Sequence, residues 1–268
     1  MNSDDLKAKK EILISILKNY KSLVVAFSGG ADSTFLLAVA HDLLGEKVTA
    51  ITVTSPVHPA REKEFAGKFA RNHGIKHIII QSDEMNLPEF TANSRDRCYV
   101  CKKNLFPKMV RTASEMGITK LAHGANTDDL KDFRPGFSAA SELGIASPMI
   151  EAGLSKQDIR DLSKKMLLET WDKPAMACLA TRIPYGTAIT IESLKMIEEA
   201  ENVLIDLGFS ACRVRHHGDL ARIELAKEDF DRMMNEKTRK SVIEKVKKAG
   251  YLYVSMDLEG YIQGSMNR

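Results

Sequence analysis

Residues 23–33, LVVAFSGGADS, decide the fold of this chain. The apolar run from Leu23 to Phe27 breaks off at Ser28-Gly29-Gly30. Asp32 and Ser33 then open a helical pattern carrying Phe35, Leu36, Leu37 and Val39. Strand, glycine turn and helix start, in that order, build an anion site. Glycines let the backbone turn tightly and bring N–H groups to a phosphate, and the helix dipole favours negative charge there. A glycine pair alone barely exceeds a plain strand-turn-helix corner. Serine on one side and Asp-Ser on the other favour the phosphate site.

The position of lysine separates two kinds of nucleotide loop. A Walker loop carries G-x-x-x-x-G-K-[ST], with its lysine on the terminal phosphates. No lysine follows Gly29 and Gly30, which disfavours transfer of the terminal phosphoryl group. The spelling SGGADS resembles the PP-loop of the ATP pyrophosphatase superfamily. That resemblance implies that Ser28, Gly29, Gly30, Asp32 and Ser33 hold the β- and γ-phosphates while a substrate oxygen attacks the α-phosphate. A substrate is then adenylated and pyrophosphate leaves.

Working outward, residues 5–20 show helical spacing through Leu6, Ile12, Leu13, Ile16 and Leu17. Residues 48–54 (VTAITVT) read as a buried strand, 61–72 as an amphipathic helix, 77–81 (HIIIQ) as a third strand, 120–124 (KLAHG) as a fourth and 145–150 as a fifth. Strands alternating with helices predict an α/β fold: a doubly wound, mostly parallel sheet with helices on both faces. The PP-loop resemblance implies the same adenine nucleotide alpha hydrolase-like arrangement. Ligands of such sheets gather at the carboxyl ends of the strands, where the glycine loop sits.

Near Thr187 the pattern changes. Residues 190–207 form a helix stopped by Gly208, residues 212–217 and 221–225 read as strands around His217-Gly218-Asp219, a helical stretch runs to Ala249, and 251–258 is a last strand. This α-β-β-α-β order predicts a smaller C-terminal α+β domain. The expected partition is an ATP-binding domain at 1–169, a joint at 170–186 and a substrate- and phosphate-binding domain at 187–268.

The 268 residues are 44% apolar and 28% charged, an ordinary globular composition. A net charge of +3 does not by itself argue for nucleic acid, and the lysines of 237–248 read as a solvated helix face. No apolar stretch is long enough to span a bilayer, and the polar start MNSDDLKAKK is unlike a secretion or transit signal; a cytoplasmic protein without membrane partners is expected. Four cysteines in such a protein are ligands, nucleophiles or core residues rather than a disulfide framework.

Cys98 and Cys101 form the only C-x-x-C, in a connection after the third strand. Zinc, iron–sulfur and dithiol chemistry all use that spacing, and no second pair is present to complete a structural zinc site. Cys178, in the joint, reads as a core residue or nucleophile alone, or as a third thiolate beside the pair. Cys212 shares a strand face with Val214 and His216 and is expected in the core. The opposite face carries Arg213 and Arg215, which suits phosphate; a salt-bridge ladder with Arg222 and Glu224 is an equal alternative. Glu201 lies on an apolar helix face with Leu194, Ile197 and Ile205, so it needs a partner, either an arginine such as Arg213 or a metal ion. Asp128 and Asp129 could bind Mg²⁺, although capping a helix is the commoner use.

Five motifs resemble one PP-loop family, the LarE-type sulfur transferases: SGGADS, RCYVCKKNLF, HGANTDDLKDFRPG, WDKPAMACLATRIPYG and RVRHHGDLARIEL, in order from residue 28 to 225. The resemblance implies an ATP-dependent sulfurtransferase of nickel-pincer cofactor biosynthesis. Its acceptor would be pyridinium-3,5-biscarboxylic acid mononucleotide, adenylated on a carboxylate and converted to a thiocarboxylate. One type of this family sacrifices the sulfur of a single cysteine at the position of Cys178. The other, which this chain resembles, uses three cysteines, here Cys98, Cys101 and Cys178, to hold a catalytic [4Fe-4S] cluster whose fourth iron carries sulfide. Arg213 and Arg215 would then hold phosphates, and Glu201 and Glu224 a divalent ion such as Mg²⁺. A sulfide donor and a homo-oligomer are implied with it. The rival readings are a tRNA thiolation enzyme, whose extra zinc-finger pairs or RNA-binding domain are absent from this sequence, an ammonia-using adenylating enzyme, which leaves the cysteines unexplained, and an iron–sulfur or nucleotide-binding module without turnover.

Overall fold

The computed structural model describes residues 3–130, 135–174 and 177–262. The chain divides into two compact units, Met1–Glu84 with Cys98–Met176, and Met85–Arg97 with Ala177–Arg268. The segment from 85 to 97 thus groups with the C-terminal residues despite its place in the sequence.

The first unit is built on four parallel strands, β1 (Leu23–Ala26), β2 (Val48–Thr54), β3 (Lys76–Gln81) and β4 (Leu121–His123), in the order β3-β2-β1-β4. Alternation along β1 explains why it is central. Leu23 and Val25, with Phe27 just beyond, pack on one face with Leu13 and Leu17 of helix Ser3–Lys18, Phe35–Ala40 residues of helix Ala31–Leu44, and Phe69 of helix Ala60–Asn72. Val24, on the other face, packs with Ile51, Phe106, Met109 and Leu121, the phenylalanine and methionine coming from helix Arg97–Glu115. A strand apolar on both faces must be covered on both, which is the doubly wound solution. β3 is one of the two edge strands, and Ile79 on it is 47% exposed.

The fifth strand expected at 145–150 does not form. Ala146 makes a single parallel bridge to Ala122, and Pro148 begins the one-turn helix Pro148–Glu151. Proline has no N–H for a ladder but suits the first turn of a helix, so the apolar pattern of this segment serves packing without strand pairing.

The second unit has the expected order. Thr190 caps helix Ile191–Asp206 in a capping box with Ser193, and Gly208, at φ +87°, follows its end. β5 (Cys212–His217) and β6 (Leu220–Leu225) are antiparallel; helix Glu236–Lys248 returns the chain to β7 (Tyr253–Met256), parallel to β6. This last strand is shorter than the expected 251–258. Cys212, Val214, Ile223, Phe209 and Tyr251 form its core.

Candidate functional site

The glycine loop leaves the carboxyl end of β1 through a fixed point. Phe27 N donates to Ile51 O at 2.8 Å, and Thr52 Oγ1 donates to Phe27 O at 2.7 Å. Gly29 then takes φ +77°, a left-handed conformation open to glycine without strain. Ser33 closes the turn internally: its Oγ accepts from Ser28 N at 3.3 Å, lies 3.1 Å from Ser28 Oγ and donates to Gly30 O at 3.2 Å. Thr34 N and Oγ1 reach the same carbonyl at 3.0 and 2.8 Å. Helix Ala31–Leu44 starts at this point, and the first N–H groups of any α-helix point outward without an intrahelical carbonyl, forming the positive end of its dipole. The expected loop residues Ser28, Gly29, Gly30, Asp32 and Ser33 thus lie together in one turn that leads into the start of helix Ala31–Leu44.

Two groups that sequence reading gave no role complete this loop. A Cβ on Gly124, just past β4, would lie 2.9 Å from Ser33 N and 3.0 Å from Ser33 Cα, so only glycine allows the end of β4 to approach the first turn of helix Ala31–Leu44 this closely. Lys173 sends its Nζ to Gly29 O at 3.0 Å and to Glu62 Oε2 at 2.9 Å, above the Phe65 ring at 4.2 Å. The lysine lacking from the loop's own sequence arrives from 144 positions along the chain.

Other polar groups stand at the same strand ends. After β2 and β3, the buried Glu84 accepts from Ser55 and Ser82, and Ser55 Oγ lies 3.0 Å from His58 Nδ1. Burial pushes His58 below the usual histidine range, against the pull of Glu84. At the end of β4, burial and then the charge of Lys102 lower His123 to about 4; its Nε2 lies 2.8 Å from Ser147 Oγ. Asp129 accepts from Asn126 N at 3.1 Å and Asp128 from Lys156 N at 2.9 Å, both backbone-capping uses. The stretch 131–134 of HGANTDDLKDFRPG and residues 175–176 of WDKPAMACLATRIPYG lie outside the described residues.

Cys98 and Cys101 lie in the connection after β3, as expected, at the start of helix Arg97–Glu115, and both are half-buried. Three residues apart on a helix, they share one face. In the second unit Cys178 is half-buried and precedes the short 3-10 helix Leu179–Arg182. Cys212 is buried in the core as expected, and burial first, then Glu201, push its thiol up to about 12. Among the described residues no group of three or more His, Cys, Asp or Glu side chains is arranged to hold a metal ion.

The carboxylates expected on a divalent ion have other partners. Glu201 takes a bidentate pair from Arg182, with Nε and Nη2 each at 2.9 Å, and accepts from Val214 N at 3.0 Å. The expected arginine partner is present, but it is Arg182 and not Arg213. Glu224 takes Nε and Nη2 of Arg215 at 2.9 and 2.8 Å. Arg222 also reaches Glu224 Oε1 at 3.4 Å, so the salt-bridge ladder that the sequence allows does form, with Glu224 and Arg215 buried instead of on the surface. Arg182, fully buried, also donates to Ala177 O at 2.8 Å, Cys178 O at 3.2 Å and Thr181 Oγ1 at 2.9 Å. It therefore fixes the turn that carries Cys178. Arg213 is buried too, donates to Cys212 O at 2.6 Å and stacks on Tyr261 at 5.0 Å. Burial, then Arg182, hold its guanidinium below the usual range.

Sheet topology and loop together define an α/β protein of the PP-loop superfamily. The family model for the queuosine biosynthesis protein QueC matches residues 22–181. The chain is 34% identical over 263 residues to the pyridinium-3,5-bisthiocarboxylic acid mononucleotide synthase of Lactiplantibacillus plantarum, covering 98% of this chain and 95% of that protein. It is 40% identical over 263 residues to an uncharacterised Synechocystis protein, covering 98% of each. A tRNA-specific 2-thiouridylase of Rickettsia africae is more distant, 26% identical over 60% of this chain and 54% of its own length. The chain belongs to the QueC-type PP-loop family, and the LarE-type synthase of Lactiplantibacillus is its relative over nearly the whole length.

Proposed function

We propose that the protein is an ATP-dependent sulfurtransferase of nickel-pincer cofactor biosynthesis, acting on a carboxylate of pyridinium-3,5-biscarboxylic acid mononucleotide. The observation that carries this reading is the relationship to the Lactiplantibacillus synthase over 98% of this chain, in a chain whose glycine loop forms an internally hydrogen-bonded turn at a helix start. The carboxylate oxygen attacks the α-phosphate of ATP, forming the acyl adenylate and releasing pyrophosphate. Sulfide then adds to the acyl carbon, AMP leaves with the former carboxylate oxygen, and a thiocarboxylate remains. Ser28–Ser33 backbone and hydroxyl groups would bind the β- and γ-phosphates, with Mg²⁺ as the counter-charge.

Soft thiolates suit an iron–sulfur cluster, and Cys98 and Cys101, on one face of a helical turn, fit two of its ligands. Cys178 would supply the third. When bound, such a cluster with one iron open would carry the sulfide to be transferred. The chain's own contribution is to hold Cys178 at a fixed turn through Arg182, and to keep Cys212 protonated and buried, outside this chemistry. Arg213 is proposed to neutralise phosphate or substrate charge, whereas the charge of Arg215 is already met by Glu224. Glu201 and Glu224, paired with arginines, have a structural role in this reading.

The test is anaerobic incubation with ATP, sulfide and the biscarboxylate mononucleotide, followed by mass spectrometry. Replacement of one oxygen by sulfur with equimolar AMP and pyrophosphate is expected. Absence of pyrophosphate release refutes adenylation, and full activity in protein without iron or acid-labile sulfide refutes the cluster. A tRNA mobility shift at physiological salt would favour the thiouridylase relationship instead.

A further inference from the structure

The glycine loop has no lysine of its own, yet an ammonium stands on it. Lys173 Nζ contacts Gly29 O at 3.0 Å and Glu62 Oε2 at 2.9 Å, and lies over the face of Phe65 at 4.2 Å. Gly29 belongs to the loop itself, and Glu62 and Phe65 to the helix on which the loop rests. A Cβ on Gly29 would meet Phe65 Cδ1 at 3.1 Å and Glu62 O at 3.2 Å, so the loop at φ +77° is packed directly against helix Ala60–Asn72. Contact with a carboxylate, a carbonyl and an aromatic face holds the ammonium in one place.

The charge balance gives this arrangement a consequence. Glu62 puts a half-buried carboxylate beside a loop built for phosphates, and like charges there would repel a triphosphate. Lys173 cancels that charge and leaves the loop's N–H groups and helix dipole to act on the ligand. In Walker loops a lysine on the terminal phosphates comes from within the loop. We propose that Lys173 is the cation of this loop: a positioning residue that, held by Glu62, fixes the Gly29 turn and makes the site selective for a pyrophosphate-bearing nucleotide. The inference rests on reading residues 28–33 as a pyrophosphate site.

Calorimetric binding of ATP, inorganic pyrophosphate and AMP to the full-length protein separates the two ideas. For K173M we expect ATP and pyrophosphate to weaken about tenfold or more, a change of about 1.4 kcal/mol at tenfold, with AMP affinity unchanged. K173R should lie within about threefold of wild type, because charge is retained at the carbonyl and carboxylate. The double variant K173M/E62Q should regain several-fold over K173M, since the uncompensated carboxylate is removed with its partner. It also covers the case in which K173M alone folds poorly, which thermal melts would reveal. Equal weakening of ATP and AMP, or no recovery in the double variant, overturns the proposal while leaving the pyrophosphate site in place. A wild-type protein that binds neither ATP nor pyrophosphate overturns both.

Discussion

Replacing Arg182 by methionine removes the centre of the second unit's polar core. The guanidinium is fully buried and makes two 2.9 Å bonds to Glu201 and three more to Ala177 O, Cys178 O and Thr181 Oγ1. Burial opposes its charge, but Glu201 outweighs that effect and holds the pKa above the ordinary arginine value. Methionine fills much of the volume but leaves Glu201, itself 3% exposed, with Val214 N as its remaining backbone donor among the described bonds. Breaking a buried pair on one side costs about 3–5 kcal/mol, and the three lost carbonyl and hydroxyl contacts place R182M toward the upper end. A loss of about 4 kcal/mol lowers the folding constant on the order of a thousandfold. The assay is urea denaturation followed by circular dichroism, because the single tryptophan, Trp171, lies in the first unit and would miss the event. R182M/E201L, with both charges replaced, should recover at least half of the loss, since apolar substitutes for a buried pair are often neutral. Alkylation of Cys178 should also accelerate in R182M at urea concentrations below the transition, as its carbonyl loses its anchor. A single-variant cost under about 1 kcal/mol, or a double variant no better than R182M, would refute the reasoning.

Three further outcomes follow from the same geometry. G124A drives a methyl into Ser33 N and Cα at 2.9 and 3.0 Å; it should cost about 1–3 kcal/mol of stability and abolish ATP binding, measured by calorimetry, with the helix content retained. Stability should fall as pH drops from about 6.5 to about 4, because His123 is neutral in the fold with its pKa lowered to about 4 and charges first in the unfolded chain. The full effect is roughly 3 kcal/mol, is present above the unfolded pKa and is lost as pH falls through the window; H123F should flatten that part of the pH–stability curve. In native protein at pH 8, iodoacetamide should leave Cys212 unmodified and label it only in denaturant, as read by peptide mass spectrometry, because its thiol is buried and pushed up to about 12.

Local patterns carried much of the architecture. The strand β2 was legible to the residue, because a β-branched run bounded by polar residues has one good solution. Helix Ile191–Asp206 was legible from Thr190 to Gly208 for the same kind of reason, a cap at one end and a stop at the other. The segment 145–150 was misread because an apolar run looks alike in a strand and beneath a sheet edge; only the bridge Ala122–Ala146 and the helical turn after Pro148 distinguish them. The sequence puts the C-x-x-C in the connection after the third strand, where it lies, but does not show that this part of the connection is the start of a helix.

Sequence alone determined the loop: Ser28, Gly29, Gly30 and Ser33 are neighbours in the chain, and their turn is made from bonds spanning five residues or fewer. It equally determined that Cys212 faces a core, since a strand's period of two leaves its side chain no other choice. Only the tertiary structure decided which arginine Glu201 takes, and that a lysine 144 positions away stands on Gly29. Arginine and lysine carry long, flexible stems whose charges bind whatever partner the fold brings near, so their pairing is a property of the packed chain and leaves no period or spacing in the sequence.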